Sequence, residues 1–451
     1  MKIVIAGNGK VGSTLVEKLS GENHDIIVIE KSKSSLSVST DKYDVTGVTG
    51  NGASYAVQKQ AGVDKCDLLI ATTNSDEVNI LSCMVANQLG AKHTIARVRN
   101  PDYAFHMKYL KENLKLSMYI NPEQEAADEI SRILRFPTAT KVSPFMFNRV
   151  EMVEISLKSG GPLSGMSLIK LRKVYDEDIL ICTVVRDGEA IIPNGEFVLQ
   201  EGDRVSIIGA PRTLNAFVRK LYPNKQKIKN VMIIGGSHIA YYLTNTLIDS
   251  GMKVKIIDND QDRCRHLSDI LPKATIIHGN ARDRELLQEE GVEKMDAFVT
   301  LTGVDEENII ASMFGVKNNI PKIVTKINDT FMTDMMDRLG LEIAITPKEI
   351  TADSIVRYVR AMANSGESSM KTLYTISNGQ AEVMEFHVDG DLPFLGVPLS
   401  KLQRKQQTLI GCVVRDGHPI IAKGSTTIEK NDSVIVVAEK GKISNLTDIM
   451  A

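Results

Sequence analysis

The sequence predicts an α/β fold in two tandem units, each a Rossmann-like parallel-sheet subdomain followed by a small β-rich α+β subdomain. Three observations predict it. Short β-branched runs alternate with amphipathic helical patterns over residues 1–136, as in βαβ units on a parallel sheet. A glycine-rich turn, Gly7-Asn8-Gly9-Lys10-Val11-Gly12, separates the first such strand from the first helix. The whole pattern then recurs about 228 residues later.

The recurrence is ordered. Lys2-Ile3-Val4-Ile5-Ala6-Gly7 returns as Asn230-Val231-Met232-Ile233-Ile234-Gly235, and Gly50-Asn51-Gly52 as Gly279-Asn280-Ala281. Thr73-Asn74-Ser75-Asp76-Glu77 returns as Thr302-Gly303-Val304-Asp305-Glu306, and Val184-Val185-Arg186-Asp187-Gly188 as Val413-Val414-Arg415-Asp416-Gly417. In the first copy, strands are expected at 2–6, 25–30, 45–49, 67–72 and 94–98, with helices over 12–20 and 77–89. Asn121-Pro122 reads as the start of a closing helix, Asn as N-cap and Pro at its first position. The stripe of that helix is Ala126, Ala127, Ile130, Ile133 and Leu134. In the second copy, Thr346-Pro347-Lys348-Glu349 reads as a capping box before the stripe Ala352, Ile355, Val356, Val359 and Met362. An apolar stripe with no later strand to cover it calls for a partner surface, which points to a homo-oligomer; packing on its own unit is the alternative. Residues 136–148 read as a linker and 222–229 as another. The expected subdomains are 1–136, 149–221, 229–363 and 371–451. In the β-rich module, strands fall near 150–157, 179–186 and 203–209, with a hairpin turn at Arg186-Asp187-Gly188-Glu189 and a short helix at 168–174.

Composition narrows the function. The 451 residues are 43% apolar and 24% charged, which fits a globular protein. Aromatics are 5% with no Trp, and net charge is −2, so a polyanionic nucleic-acid partner is disfavoured. No apolar run approaches the ~18–20 residues of a membrane span, and a cytosolic protein is expected. The five cysteines form no Cys-x-x-Cys pair, and the eight His show no metal-ligand spacing.

The glycine turn carries the chemistry. Gly7 permits the tight turn, Gly9 allows backbone close to a pyrophosphate, and Gly12 lets the helix pack on the sheet. The helix start offers unpaired N–H groups to phosphate. Glu30, ending the second strand, suits ribose hydroxyls and repels a 2′-phosphate, favouring NAD(H) or an adenosine nucleotide over NADP(H). Asn51 is placed to approach adenine, Thr73 and Asn74 ribose or phosphate, and Lys10 and Arg97 to add positive charge. For Asn51, Thr73 and Arg97, turn chemistry, a helix cap and a solvated charge are the alternatives. Asp76-Glu77-x-Asn79, repeated as Asp305-Glu306-x-Asn308, most simply caps the following helix with acids at its positive end. The second copy is Gly235-Gly236-Ser237-His238-Ile239-Ala240, with Asp258 for Glu30, Asn280 for Asn51, Thr302 for Thr73 and Lys326 for Arg97. Its Ser237 pushes atoms towards any pyrophosphate. No substrate domain, Tyr-x-x-x-Lys or Walker lysine accompanies these turns, so the nucleotide reads as a signal rather than a reactant. An NAD-dependent oxidoreductase with an unrecognised substrate domain is the alternative.

The duplicated order, the segment Lys2 to Gly12, Gly50-Asn51-Gly52, Thr73 to Glu77 and Ile95-Ala96-Arg97-Val98-Arg99-Asn100-Pro101-Asp102-Tyr103 resemble, over essentially the whole chain, one known family. It is that of the peripheral regulatory subunits of bacterial and archaeal Trk/Ktr-type potassium uptake systems, built of two RCK (regulator of K⁺ conductance) units. The resemblance implies NAD(H) at Gly7, Asn8, Gly9, Lys10, Val11, Glu30, Thr73, Asn74 and Arg97, and at Gly235, Gly236, Ser237, His238, Ile239, Asp258 and Lys326. It implies ATP or ADP as alternative ligands and no catalysis. It also implies a homo-oligomeric, tetramer-like ring and a TrkH/TrkG/KtrB-like membrane potassium transporter subunit as partner. That partner would hold the chain at the cytoplasmic face of the membrane.

Overall fold

The computed structural model describes residues 1–22, 24–146, 148–223, 227–363 and 368–451. The first copy runs β1 (Lys2–Ala6), α1 (Lys10–Ser20), β2 (Asp25–Glu30), α2 (Lys33–Lys42), β3 (Thr46–Thr49), α3 (Tyr55–Gln60), β4 (Leu68–Ala71), α4 (Asp76–Leu89), β5 (His93–Arg97), α5 (Pro101–Asn113), β6 (Met118–Ile120) and α6 (Pro122–Arg135). All strands pair parallel in the order β3-β2-β1-β4-β5-β6, the doubly wound arrangement in which ligands lie at the carboxyl ends beside β1 and β4. The central strands are covered on both faces: Ile3, Val4, Ile5 and Ala6 are fully buried, as are Leu68 to Ala71. The sixth strand was not expected, because three residues are too few to show a period.

A β-rich module follows: β7 (Ala139–Phe145), β8 (Val150–Ser156), α7 (Leu168–Val174), β9 (Ile179–Arg186), β10 (Glu189–Ile191), β11 (Arg204–Gly209) and α8 (Pro211–Leu221). The second copy repeats the plan with β12 (Asn230–Ile234), α9 (His238–Asp249), β13 (Lys253–Asp258), α10 (Gln261–Ile270), β14 (Thr275–His278), α11 (Arg284–Glu289), β15 (Ala297–Thr300), α12 (Asp305–Lys317), β16 (Lys322–Lys326), α13 (Thr333–Met336), β17 (Ala344–Ile345) and α14 (Pro347–Ala363). Its sheet order is β14-β13-β12-β15-β16-β17. The chain ends with β18 (Ser368–Ile376), β19 (Ala381–Val388), β20 (Thr408–Arg415), β21 (His418–Ile421) and β22 (Ser433–Glu439).

Like subdomains group together. One compact unit holds residues 1–131 and 229–356; the other holds 132–228 and 357–451. Inside the first unit the two Rossmann-like copies meet reciprocally. Lys18 of α1 pairs with Glu349 at 2.8 Å and Asp353 at 2.5 Å on α14. Asn121, just before α6, donates to the hydroxyl of Tyr242 on α9 at 2.9 Å. The Ser354 hydroxyl on α14 donates to Glu125 on α6 at 2.9 Å. Equivalent helices meeting reciprocally, α1 with α14 and α9 with the start of α6, are the mark of a local two-fold.

This corrects the reading of the apolar stripes. Ala126, Ala127, Ile130, Ile133 and Leu134 are at most 1% exposed, and Ala352, Ile355 and Val359 are fully buried, all within one chain. The stripes therefore give no argument for a second copy of the protein. The expected capping box is also altered: the Glu349 N–H bonds to the Thr346 carbonyl at 3.0 Å, and its carboxylate reaches Lys18.

In the second unit, the two five-stranded antiparallel sheets follow one plan, β10-β9-β11-β8-β7 and β18-β19-β22-β20-β21. Phe145, Met152 and Ile208 of one sheet share a core with Val383, Cys412 and Ile435 of the other. The supposed linker 136–148 contains β7, so the module reaches back beyond residue 149. Pro144 misled the sequence reading; β7 is an edge strand, where a missing N–H costs no ladder bond. Residue 147, like 224–226 of the second linker, lies outside the described residues. The repeated Arg-Asp-Gly is more than a turn. Asp187 and Gly188 have φ +52° and +88°, as a two-residue hairpin requires. Arg186 also grips the fully buried Asp203 through Nε and Nη2, both at 2.8 Å, and Arg415 grips Asp432 likewise.

Ile130→Ala leaves a cavity in the α6 stripe. The expected loss is about 2–4 kcal/mol in denaturant unfolding. A loss below about 1 kcal/mol would mean that the stripe is not load-carrying packing.

Candidate nucleotide sites

Both glycine turns leave the carboxyl ends of their central strands. Gly7 has φ +106°, and a Cβ there would stand 2.8 Å from the Thr73 nitrogen. A Cβ on Gly12 would fall 2.0 Å from the Gly7 carbonyl oxygen. The protein's own packing demands those two glycines. Gly9 differs: its φ is −76°, and a Cβ would meet only Asn74 Oδ1 at 3.9 Å. Among the described residues no close contact calls for glycine at residue 9, so the backbone there is open to an approaching group. As N-cap of α1, Gly9 offers no side chain to the first-turn N–H groups, so they face outward with the positive end of the helix dipole. Val11 is buried and locks α1 on the sheet, while Lys10 is exposed at the lip.

In the second copy Gly235 has φ +96°, and a Cβ would stand 2.9 Å from the Thr302 nitrogen. Ser237 does not project as expected. Its hydroxyl turns onto α9 and accepts from the Ala240 N–H at 3.4 Å, capping the helix. It thus competes with a phosphate for that N–H. Ile239 is buried in the role of Val11.

The acids at the ends of β2 and β13 stitch turn to strand. Glu30 accepts from the N–H groups of Asn8 at 2.8 Å and Ser32 at 3.0 Å. Asp258 accepts from Gly236 at 2.5 Å and Asp260 at 2.8 Å. Each carboxylate oxygen keeps a second lone pair for a ribose hydroxyl.

Thr73 and Arg97 are brought together by Asn79, which the sequence pattern alone assigns to a helix cap. Asn79, fully buried on α4, accepts from both the N–H and the hydroxyl of Thr73 at 2.7 Å. It donates to the carbonyls of Thr73 at 3.1 Å and Arg97 at 2.9 Å. Asn308 makes the equivalent backbone bonds to Thr302 and Lys326, while the Thr302 hydroxyl turns to the Val304 carbonyl instead. Asp76 and Glu77 do stand in the first turn of α4, but Ser75 supplies the cap, and Asp76 also accepts from the N–H groups of Arg99 and Asn100, both at 2.8 Å. The signal was present as the repeated Asp-Glu-x-Asn, but the long-range acceptors are invisible in sequence. Arg97 is no solvated charge: it is 7% exposed and donates to the Thr73 carbonyl, and burial pulls its pKa down to about 10. Lys326 matches it, donating to the Thr302 carbonyl at 2.9 Å, with its pKa also lowered by burial. Asn51 and Asn280 brace their own turns, accepting from Ala53 at 3.2 Å and Arg282 at 2.9 Å. Asn74 presents its carbonyl to Arg99 at 2.7 Å.

The sites lie close enough to feel each other. Lys10 is among the charges acting on Lys326, and Arg99 and Asp76 act on His238. A cavity of about 950 Å³ opens at the second turn, bounded by Gly235, Gly236, Ser237, Asp258, Asn280 and Thr302. Among the described residues there is no cluster of metal ligands and no helix long and apolar enough to cross a membrane.

A family model described as the TrkA-N domain matches residues 3–122 and again 231–347, and one for the TrkA-C domain matches 152–222. The chain belongs to the TrkA family. It is 33% identical to the Trk system potassium uptake protein TrkA of Halomonas elongata, over 99% of this chain and 98% of that one. It is 31% identical to a TrkA homolog of Archaeoglobus fulgidus over the full length of both. The TrkA family is thus one of potassium uptake proteins, not of enzymes. Among solved structures, the GsuK channel bound to NAD matches with a TM-score of 0.65 at 17% identity, over 97% of this chain and 77% of that one. The GsuK RCK domain itself matches with the same TM-score over 92% of its length, which gives the fold as a tandem RCK arrangement.

Two outcomes follow from the turn geometry. Gly9→Ala should lower stability by no more than about 1 kcal/mol yet weaken adenine-dinucleotide binding at least about tenfold. Gly12→Ala should destabilise the fold itself by about 1–3 kcal/mol. Calorimetry with thermal melts separates the two; unchanged affinity in Gly9→Ala would remove the pyrophosphate from this turn. The second outcome concerns His238. Partial desolvation first, then Arg263 and Arg99, lower its pKa, against Asp76, which raises it. A bound phosphate favours the imidazolium, so binding takes up a proton. Affinity at the second turn should rise as the pH falls from about 8 to 6 and flatten in His238→Gln. A pH-independent affinity there would contradict it.

Proposed function

We propose that this chain is a nucleotide-sensing regulatory subunit of a membrane potassium transporter, binding NAD(H) at Gly7 to Gly12 with Glu30 on a ribose. ATP and ADP compete for the same turns. The observation that carries this reading is Gly9, a glycine the protein's own packing does not need, at the uncapped start of α1 and beside the acid that ends β2. The names of its relatives speak of potassium uptake, and GsuK has been solved with NAD and with ADP. The ligand acts by binding one arrangement of the assembly better than another; equal affinity would shift nothing. The partner is a TrkH/TrkG/KtrB-like transporter subunit, which keeps the protein at the cytoplasmic face of the membrane.

A homo-oligomeric, tetramer-like ring is supported not by the buried stripes but by exposed apolar side chains. Leu81 and Met84 on α4 are 48% and 41% exposed, and their counterparts Ile310 and Met313 on α12 are 61% and 44% exposed. The second turn, capped by its own serine and with Lys326 in place of Arg97, binds NADH more weakly than the first.

Glu30→Ala should weaken NADH binding by about 1.5–3 kcal/mol. In a strain that lacks its own TrkA, it should restore nucleotide-regulated potassium uptake poorly, although wild type restores it. Unchanged NADH and ATP affinities in a folded Glu30→Ala protein would overturn the reading.

A further inference from the structure

The two copies differ most where the adenosine end of a nucleotide would lie. Arg263 on α10, Arg282 and Arg284 at the corner between β14 and α11, and Lys317 on α12 all border the second cavity. The equivalent residues of the first copy are Ser35, Ala53, Tyr55 and Gln88. Cations thus stand at positions that are uncharged in the first copy.

The acids around them are largely committed. Glu307 is taken by Arg282. Asp260 caps α10, accepting from the N–H groups of Asp262 at 2.9 Å and Arg263 at 3.0 Å. Asp258 is one methylene shorter than Glu30, and like Glu30 it accepts one backbone N–H on each oxygen. Arg263 stands beside it: its Nε donates to the Gly236 carbonyl at 2.5 Å, which anchors the guanidinium at the lip of the turn. The described hydrogen bonds of that side chain use Nε alone. In the first copy the same place is neutral, filled by Ser35, whose hydroxyl donates to the Asn8 carbonyl at 3.3 Å while Asn8 Nδ2 donates to the Ser35 carbonyl.

A ribose hydroxyl calls for an acceptor such as Glu30, whereas a ribose phosphate calls for a planar fork of N–H donors. We propose that the second copy takes an adenine nucleotide phosphorylated on its ribose 2′-oxygen, NADP(H) being the dinucleotide of that class, with Arg263 receiving the phosphate. This rests on the reading of the second turn as a nucleotide site. The two halves then report different pools, the first the unphosphorylated nucleotide and the second the phosphorylated one.

The test uses the full chain with its first turn blocked by Gly9→Asp, titrated calorimetrically with NADPH, NADH and coenzyme A, whose ribose phosphate is on the 3′-oxygen. The expected result is one NADPH per chain, bound at least tenfold tighter than NADH or coenzyme A. Adding Arg263→Ser, the residue of the first copy, should abolish the preference, NADPH affinity falling at least tenfold more than NADH affinity, whereas Arg263→Lys should keep part of it. NADH binding as tightly as NADPH would overturn the proposal and leave the second turn a nucleotide site. Coenzyme A binding as tightly as NADPH would overturn the 2′ assignment. A preference that survives Arg263→Ser would overturn the role of Arg263. Absence of binding by any adenine nucleotide would overturn the second site itself, and the first copy, tested in the wild-type chain, would stand or fall separately.

Discussion

Burial of the α6 and α14 stripes inside a single chain is the constraint on which the rest of the first unit depends. Each Rossmann-like copy ends in a helix whose apolar face its own sheet has no further strand to cover. Within one polypeptide α14 lies against α1 through Lys18, the start of α6 lies against α9 through Tyr242, and Ser354 on α14 donates to Glu125 on α6. The local two-fold that results brings the charges of the two turns within reach of one another. A duplicated chain can hold two different sites in that symmetric frame, which two identical chains cannot.

The sites diverge in small, chemically consistent steps. Where the first turn leaves the α1 N–H groups uncapped, the second caps α9 with Ser237. Where the first has a buried arginine over the Thr73 carbonyl, the second has a lysine over Thr302. What stayed constant is the scaffold beneath: Asn79 and Asn308 tie together the carboxyl ends of neighbouring strands, and Asp76 and Asp305 hold the following loop. Selection for position is thus carried by buried side-chain amides and carboxylates, and selection for ligand by the residues at the lip.

Much of this was legible in the sequence, for identifiable reasons. The parallel sheets follow from Ile3-Val4-Ile5 and its echoes, since fully buried strands read as unbroken apolar runs. The turns follow from glycine spacing plus an acid at the end of the next strand. The three-residue β6 was not legible, because it is shorter than any period, and neither was β7, because Pro144 on an edge strand mimics a linker. The stripe of α6 was seen but its partner was not: hydrophobic periodicity says that a face is buried, never against what. Arg186 was read as part of a turn because its grip on Asp203 spans residues that only the sheet brings together. The same limit hid Asn79, whose role is set by carbonyls on other strands.

The central claim is that the turn Gly7 to Gly12 holds the pyrophosphate of a nucleotide whose ribose is read by Glu30. A structure of the full chain solved with saturating NADH tests it most directly. The expected result is a pyrophosphate within hydrogen-bond distance of the N–H groups that begin α1, its path crossing Gly9, with a ribose hydroxyl on a Glu30 oxygen. A dinucleotide bound elsewhere in the chain, with the first turn unchanged, would contradict it.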